Sequence, residues 1–362
     1  MKGDRFMESV RVVQIGCGKM SKYIMRYIYE KNGSVVGAVD INPDLIGKDI
    51  SVVMESESKG VLIQDVSCLD KILKKTKPNV AIITTMSVLN DIGEEIRTCV
   101  KNGVNVITTC EEAFFAVNSN PVLYDELNAL AKAFNVTIIG CGYQDVFWGN
   151  MIYSICASTQ RITKIKGCSS YNVEDYGIAL AKAHGAGYTA EEFDKEIAVI
   201  NRMSDEEREE LIAKKEFFPS YMWNVVGWLA KKLNLHIVSM KQECIPVMTD
   251  GTLESETLGM TLSTGMVRGM EAVVTATTKE NIILEVECIG KVYTNEEADM
   301  NEWTIFGEPT TSVKNEAPAT VELTCADVVN RIPHVIKAES GFLDTTDLPE
   351  PVYIVNDFQE YL

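Results

Sequence analysis

Two acidic residues stand side by side in Thr108-Thr109-Cys110-Glu111-Glu112-Ala113-Phe114-Phe115, among apolar and aromatic neighbours. A carboxylate partly desolvated by such neighbours acquires a raised pKa and exchanges protons near neutrality, so Glu111 and Glu112 are candidate general bases. The sequence does not choose between them. Thr109-x-x-Glu112 also fits a capping box, in which Glu112 would only satisfy helix amides. A second segment, Gly140 to Asn150, offers Gln144 and Asp145 as polar heads among Tyr143, Phe147 and Trp148. A carboxylate with aromatic faces around it suits an ammonium-bearing ligand, and the plain alternative is that the aromatics are interdomain core. His184, in a glycine-bordered stretch ending at Gly187, could hold a substrate carboxylate, with Lys182 as the competing cation. Cys110 and Cys141 also end strands, but with no His in either segment they read as packing residues.

Placing these groups together requires a sheet whose carboxyl ends converge. Strand-like apolar runs cover 11–15, 35–39, 61–63, 80–84, 104–108 and 136–140, separated by helical patterns at 20–30, 68–75, 91–102 and 121–135. Nearly continuous apolar strands imply burial on both faces, hence a parallel α/β sheet of the Rossmann, doubly wound type, with ligands beyond the strand ends. Gly16 and Gly18 lie between the first strand and an apolar-striped helix. That is the context in which a G-x-G turn cradles a pyrophosphate on helix amides, with Lys19 and Met20 in the first turn. Ser21 replaces the third glycine and weakens the signature. Asp40, ending the second strand, stands where a carboxylate accepts ribose hydroxyls, which favours NAD over NADP; Lys19 or Lys48 within reach keeps dual use open. Asp40 could instead only make a turn with Asn42-Pro43. Thr84, Thr85, Met86 and Ser87 would line the same edge, or merely start the next helix.

Past Gln144 the rhythm changes. An acidic, helix-rich stretch runs from 189 to 216, with a capping box at Ser204-x-x-Glu207, then a Trp-bearing helix at 221–233 and a hairpin of 271–277 with 282–289. Residues 307–318 read as a loop before the last elements. The expected organisation is a dinucleotide-binding domain at 1–143, an α+β substrate and dimerisation domain at 144–325, and a C-terminal segment, 326–362, packing back on the first. The hairpin is the kind of face through which such domains pair, so a homodimer is expected.

Composition narrows the function. The chain has 362 residues, 46% of them hydrophobic, with no run that would span a bilayer and no leader-like start, so a cytoplasmic protein is expected, without a membrane partner. A net charge of −18 repels a phosphate backbone and argues against nucleic acid. Ten scattered cysteines and three distant histidines show neither disulfide clustering nor metal-ligand spacing, and no metal is expected.

Taken together, the segments starting at Gly16, Ala38, Thr108, Gly142 and Ser170 (Ser-Tyr-Asn-Val-Glu-Asp-Tyr-Gly) resemble the 2,4-diaminopentanoate dehydrogenase family. That family belongs with the native amine dehydrogenases and, more distantly, the dihydrodipicolinate reductase-like proteins. The resemblance runs through the whole chain, including Asn330 to His334. It implies NAD- or NADP-dependent oxidative deamination of a small diamino acid in ornithine fermentation, with a glutamate of the 111–112 pair handling water and protons. It also implies that Ser21 is tolerated. A reductive aminase, a dihydrodipicolinate-type reductase and a catalytically silent redox sensor are the competing readings.

Overall fold

The computed structural model describes residues 9–214 and 217–362. By internal contacts the chain divides into two compact units, 1–146 with 319–362, and 147–318.

The first unit begins with β1 (Arg11–Ile15), α1 (Lys19–Glu30) and β2 (Ser34–Asp40), followed by a short α2 (Ser51–Met54) and β3 (Ile63–Asp65). It continues through α3 (Leu69–Thr76), β4 (Val80–Ile83), α4 (Gly93–Lys101), β5 (Asn105–Thr108), α5 (Pro121–Phe134) and β6 (Thr137–Gly140). A π-helical turn, Asp145–Asn150, leads into the second unit.

The second unit holds α6 (Met151–Cys156), β7 (Arg161–Asn172), α7 (Ile178–Ala183), α8 (Ala190–Glu196), α9 (Asp205–Lys214) and α10 (Tyr221–Lys232). Long strands follow: β8 (Ile237–Met248), β11 (Val267–Thr278), β12 (Ile283–Lys291), β13 (Met300–Glu308) and β14 (Thr311–Glu316), with a small ribbon, β9 (Leu253–Ser255) and β10 (Met260–Leu262), after β8. The main sheet runs β14-β13-β7-β12-β11-β8, antiparallel except between β7 and β12. The predicted hairpin is β11 and β12, closed by the Thr278–Asn281 turn. Along α10, Met222, Val225, Val226, Trp228 and Leu229 are buried. Each such side chain contributes roughly 1.5–3 kcal/mol by leaving water. The capping box at Ser204 and Glu207 forms, with both reciprocal bonds present at 2.9 and 3.2 Å. Residues 307–318, expected as loop, are corrected: 311–316 is an edge strand paired antiparallel with β13. Its polar alternation Thr-Ser-Val-Lys-Asn-Glu hides a strand because charges and small polar residues are what protects an edge.

The chain then returns to the first unit with α11 (Thr320–Lys337), which packs on α1, and β15 (Gly341–Leu343), which joins the sheet beside β6. That sheet runs β15-β6-β5-β4-β1-β2-β3 and every pairing in it is parallel. The order reverses between β1 and β4, so the carboxyl ends of these two strands flank the crevice where such sheets bind ligands. On α1 the buried residues are Ser21, Ile24, Met25 and Ile28, one helix face. Tyr23 and Tyr27 are half-buried against the cluster that holds Cys325, Val328 and Ile332 of α11. No helix among the described residues is long and apolar enough to cross a membrane.

Candidate active site

The glycine turn is fastened from below. Gly16 has φ +86°, and a Cβ there would lie 2.6 Å from Thr85 Cγ2, so both backbone and space demand glycine. Gln14, fully buried in β1, donates through Nε2 to Gly16 O at 2.8 Å and to Thr84 Oγ1 at 2.9 Å. Ser21 donates its hydroxyl to Gly18 O at 2.7 Å, so the residue in the third glycine's place braces the turn. Around Gly18 a Cβ would meet nothing within 4 Å, and no side chain caps the first turn of α1, where the amides of Lys19 and Met20 lie. An open glycine before uncapped helix amides is what a pyrophosphate requires, and the residues present therefore fit a dinucleotide. Asp40 accepts Cys17 N–H at 2.5 Å and Asn42 N–H at 2.7 Å, so it clips the turn as well as ending β2. The exposed Ile41 beside it, 77% accessible, brings no cation to a 2′-phosphate. Thr85 and Met86 are exposed beyond β4.

The two glutamates separate. Both lie on the 3-10 turn Glu111–Phe115, which follows β5 at the same sheet edge and packs so closely on β6 that a Cβ at Gly140 would fall 2.3 Å from the Ala113 carbonyl carbon. The Thr109–Glu112 capping box does not form, since this turn has no side-chain cap. Glu112 is 5% exposed and accepts Leu89 N–H at 2.6 Å, with further bonds from Ser119 and Asn120. It clamps three loop segments together. Glu111 is half-buried, and its carboxylate accepts the Ser87 hydroxyl. Burial pushes both carboxyls above the usual carboxylate range, against the lowering effect of those hydrogen bonds. Cys110 and Cys141 are fully buried and their thiols are pushed well up by burial, which leaves them protonated and inert.

After β6 the chain enters the second nominated segment. Tyr143 and Gln144 are buried at this edge, and Gln144 Nε2 finds no acceptor among the described residues. Asp145, expected to meet a substrate ammonium, is 0% exposed; its Oδ2 accepts Arg331 Nε–H at 2.7 Å and stands 2.7 Å from Nη2 in the same ion pair. Its charge is already matched from α11. Sequence reasoning passed over Arg331 together with Thr324 and Asp327, polar residues at i, i+3 and i+7 beside the apolar stripe of Cys325, Val328, Val329 and Ile332. A polar row hard against an apolar one on a C-terminal helix was the available signal.

His184 belongs to the second unit. Its Nδ1 lies 2.8 Å from Leu180 O and its Nε2 2.7 Å from Tyr171 Oη. The carbonyl can only accept, so Nδ1 carries the proton and Nε2 receives the phenol. Burial lowers the pKa of this ring, which keeps it neutral. His184, expected to hold a substrate carboxylate, is thus a neutral ring paired with Tyr171, and Gly290 leaves room for both, a Cβ there falling 2.5 Å from the imidazole. Lys182 is exposed.

Comparison with known proteins agrees with this architecture. Residues 147–362 match the family model of the 2,4-diaminopentanoate dehydrogenase C-terminal domain. A 2,4-diaminopentanoate dehydrogenase of Acetoanaerobium sticklandii is 24% identical over 98% of both chains. An amine dehydrogenase from Mycobacterium smegmatis superposes with a TM-score of 0.82 at 33% identity, over 97% of this chain and 99% of that one. A probable dehydrogenase from Thermotoga maritima, 10% identical over 93% and 92% of the chains with a TM-score of 0.59, shares the fold. The chain belongs to the 2,4-diaminopentanoate dehydrogenase family and is an NAD(P)-dependent oxidoreductase.

Proposed function

We propose that the enzyme oxidises the C4 amine of 2,4-diaminopentanoate to a ketone, giving 2-amino-4-oxopentanoate and ammonia, with Glu111 as the base. The observation that carries the assignment of the base is the division of labour in the pair: Glu112 is committed to Leu89 N–H, while Glu111 is half-buried, desolvated and bonded to the Ser87 hydroxyl. The named activity of the relatives supports the substrate class.

The steps follow from proton bookkeeping. Glu111 takes a proton from the substrate ammonium and passes it to solvent, because only the neutral amine can release hydride from its carbon. A nicotinamide held beside the turn would supply the acceptor for that hydride. An iminium remains on the substrate. Water adds to the iminium carbon as Glu111 takes the water's proton, and Glu111 returns that proton to nitrogen, so that ammonia leaves while the carbinolamine hydroxyl gives its proton to the now ionised Glu111 and becomes the ketone. A carboxyl raised toward neutrality suits a group that must both accept and donate. Gly16, Gly18, Lys19 and Met20 would hold the pyrophosphate, Asp40 the adenosine ribose, and Thr85, Met86 and Ser87 the nicotinamide side. With Asp40 followed by Ile41 and Asn42, NAD is the favoured cofactor. Tyr143 and Gln144 are the substrate contacts proposed from the first unit. Pairing of two chains through the β11–β12 hairpin sheet is the proposed assembly.

The test is reduction of NAD and of NADP with 2,4-diaminopentanoate, repeated on two variants. Glu111→Gln is expected to lower kcat by about 10²- to 10⁴-fold, the usual contribution of general acid–base catalysis. Glu112→Gln is expected to keep most of its turnover while melting earlier. No reduction by a sample that binds NADH would sink the substrate assignment; equal losses in both variants would sink Glu111 as the base.

A further inference from the structure

We propose that the polar row Thr324, Asp327 and Arg331 on α11 is a positioning device for the Gly142–Asp145 loop, setting where Tyr143 and Gln144 meet the substrate. The inference rests on the reading of those two residues as substrate contacts. The row addresses the loop almost residue by residue. Gly142 N–H donates to Asp327 Oδ2 at 3.0 Å, Tyr143 N–H donates to Thr324 Oγ1 at 3.2 Å, and the Asp145 carboxylate receives Arg331 at 2.7 Å. Asp145 N–H closes the turn on Gly142 O at 3.0 Å. The Cys141 thiol, one residue earlier, also bonds Asp327. Arg331 is fixed in turn by the Pro349 carbonyl, which accepts Nη1 at 2.5 Å.

Two further observations show how tightly the loop is drawn in. Gly142 has φ +142°, and a Cβ on it would sit 2.9 Å from Thr324 Cγ2, so only glycine allows the loop this close to the helix. Gln144, between two anchored neighbours, carries a buried donor without an acceptor among the described residues. Such donors are rare in folded proteins, and an oxygen acceptor of the ligand would complete this one. Two carboxylates around one guanidinium, all but buried, add little net stability compared with apolar side chains of the same size. What they supply here is a fixed geometry for a loop that ends the unit.

The experiment uses the full chain with NAD and the amine it oxidises. Thr324→Val removes the hydroxyl at nearly constant volume, and Arg331→Lys keeps the charge but loses the fork. In Thr324→Val the KM for the amine is expected to rise about tenfold, as for one lost hydrogen bond. Its Kd for NADH stays within about twofold, and amide exchange across 141–146 quickens. Thr324→Ser, which restores the hydroxyl, returns both to the original values. An unchanged KM in both folded variants, or a KM that rises only in step with lost NADH affinity, would overturn the proposal. Failure of the substrate assignment looks different: it appears in the unaltered chain as no turnover of that compound, and any other amine that is oxidised then serves. If none is, faster exchange at 141–146 confined to the variants upholds the device, and unaltered exchange ends it.

Discussion

The glycine turn and the Gly142–Asp145 loop lie at the same edge of one sheet, yet they are made in opposite ways. The turn is largely backbone: two glycines, uncapped helix amides and short braces from Gln14, Ser21 and Asp40. The loop is held by side chains of a helix 185 residues further along the chain. A group made of backbone can serve any chain that repeats the turn, and so it binds what such chains share. A loop held by distant side chains can be tuned without disturbing the nucleotide. On the proposed function, the difference places nucleotide recognition on one side of the crevice and substrate selectivity on the other.

The harshest way to break this contrast is Arg331→Met, which leaves the buried Asp145 without the Arg331 guanidinium. Removing one partner of a buried pair costs about 3–5 kcal/mol, so a large fall in Tm is expected in the first unit's transition. A Tm close to the original would mean that water reaches Asp145 and that the loop is not gripped as described.

At the other region the expected effect is smaller and of another kind. Gly18→Ala adds a methyl where nothing lies within 4 Å, on a backbone whose φ of −82° suits alanine. Stability should stay within about 0.5 kcal/mol. The methyl occupies the space a pyrophosphate approaches, however, and the Kd for NADH is expected to rise tenfold or more, about 1.4 kcal/mol or above. Titration of intrinsic fluorescence with NADH checks it. Unchanged affinity would move the phosphates away from this glycine.

The same contrast explains what could be read in advance. The parallel strands, the glycine turn and the hairpin rest on local period and turn chemistry, and the elements fall within a few residues of the spans the apolar pattern suggests. The different surroundings of Glu111 and Glu112 were invisible, because they depend on Leu89 N–H, a neighbour in space 23 residues before Glu112, across α4 and β5. The partners of Asp145 and His184 were hidden for a related reason. A charged or titratable residue in an aromatic segment looks available until Arg331 and Tyr171, each supplied from elsewhere in its unit, take its valences. Residues 311–316 were missed because an edge strand need not alternate with apolar residues.

The finest probe of the loop's anchor is its proton. Burial, then the negative charge of Asp145, pushes the Asp327 carboxyl well above the usual carboxylate range, although Arg331 and Gly142 N–H pull the other way. An unfolded aspartate titrates near 3.9, so as pH rises past about 4 the unfolded chain releases a proton that the folded chain keeps. The folded state then binds more protons, and this residue's contribution to stability falls with rising pH until its folded pKa is passed. Asp327→Asn abolishes that dependence while its amide oxygen can still accept Gly142 N–H. Between pH 4 and 7 the original protein should therefore lose stability relative to the variant, read from parallel denaturant titrations. A gap that stays constant over this range would mean that both carboxylates are ionised around Arg331. The loop would then be held by charge alone, and the contrast with the backbone-built turn would be sharper still.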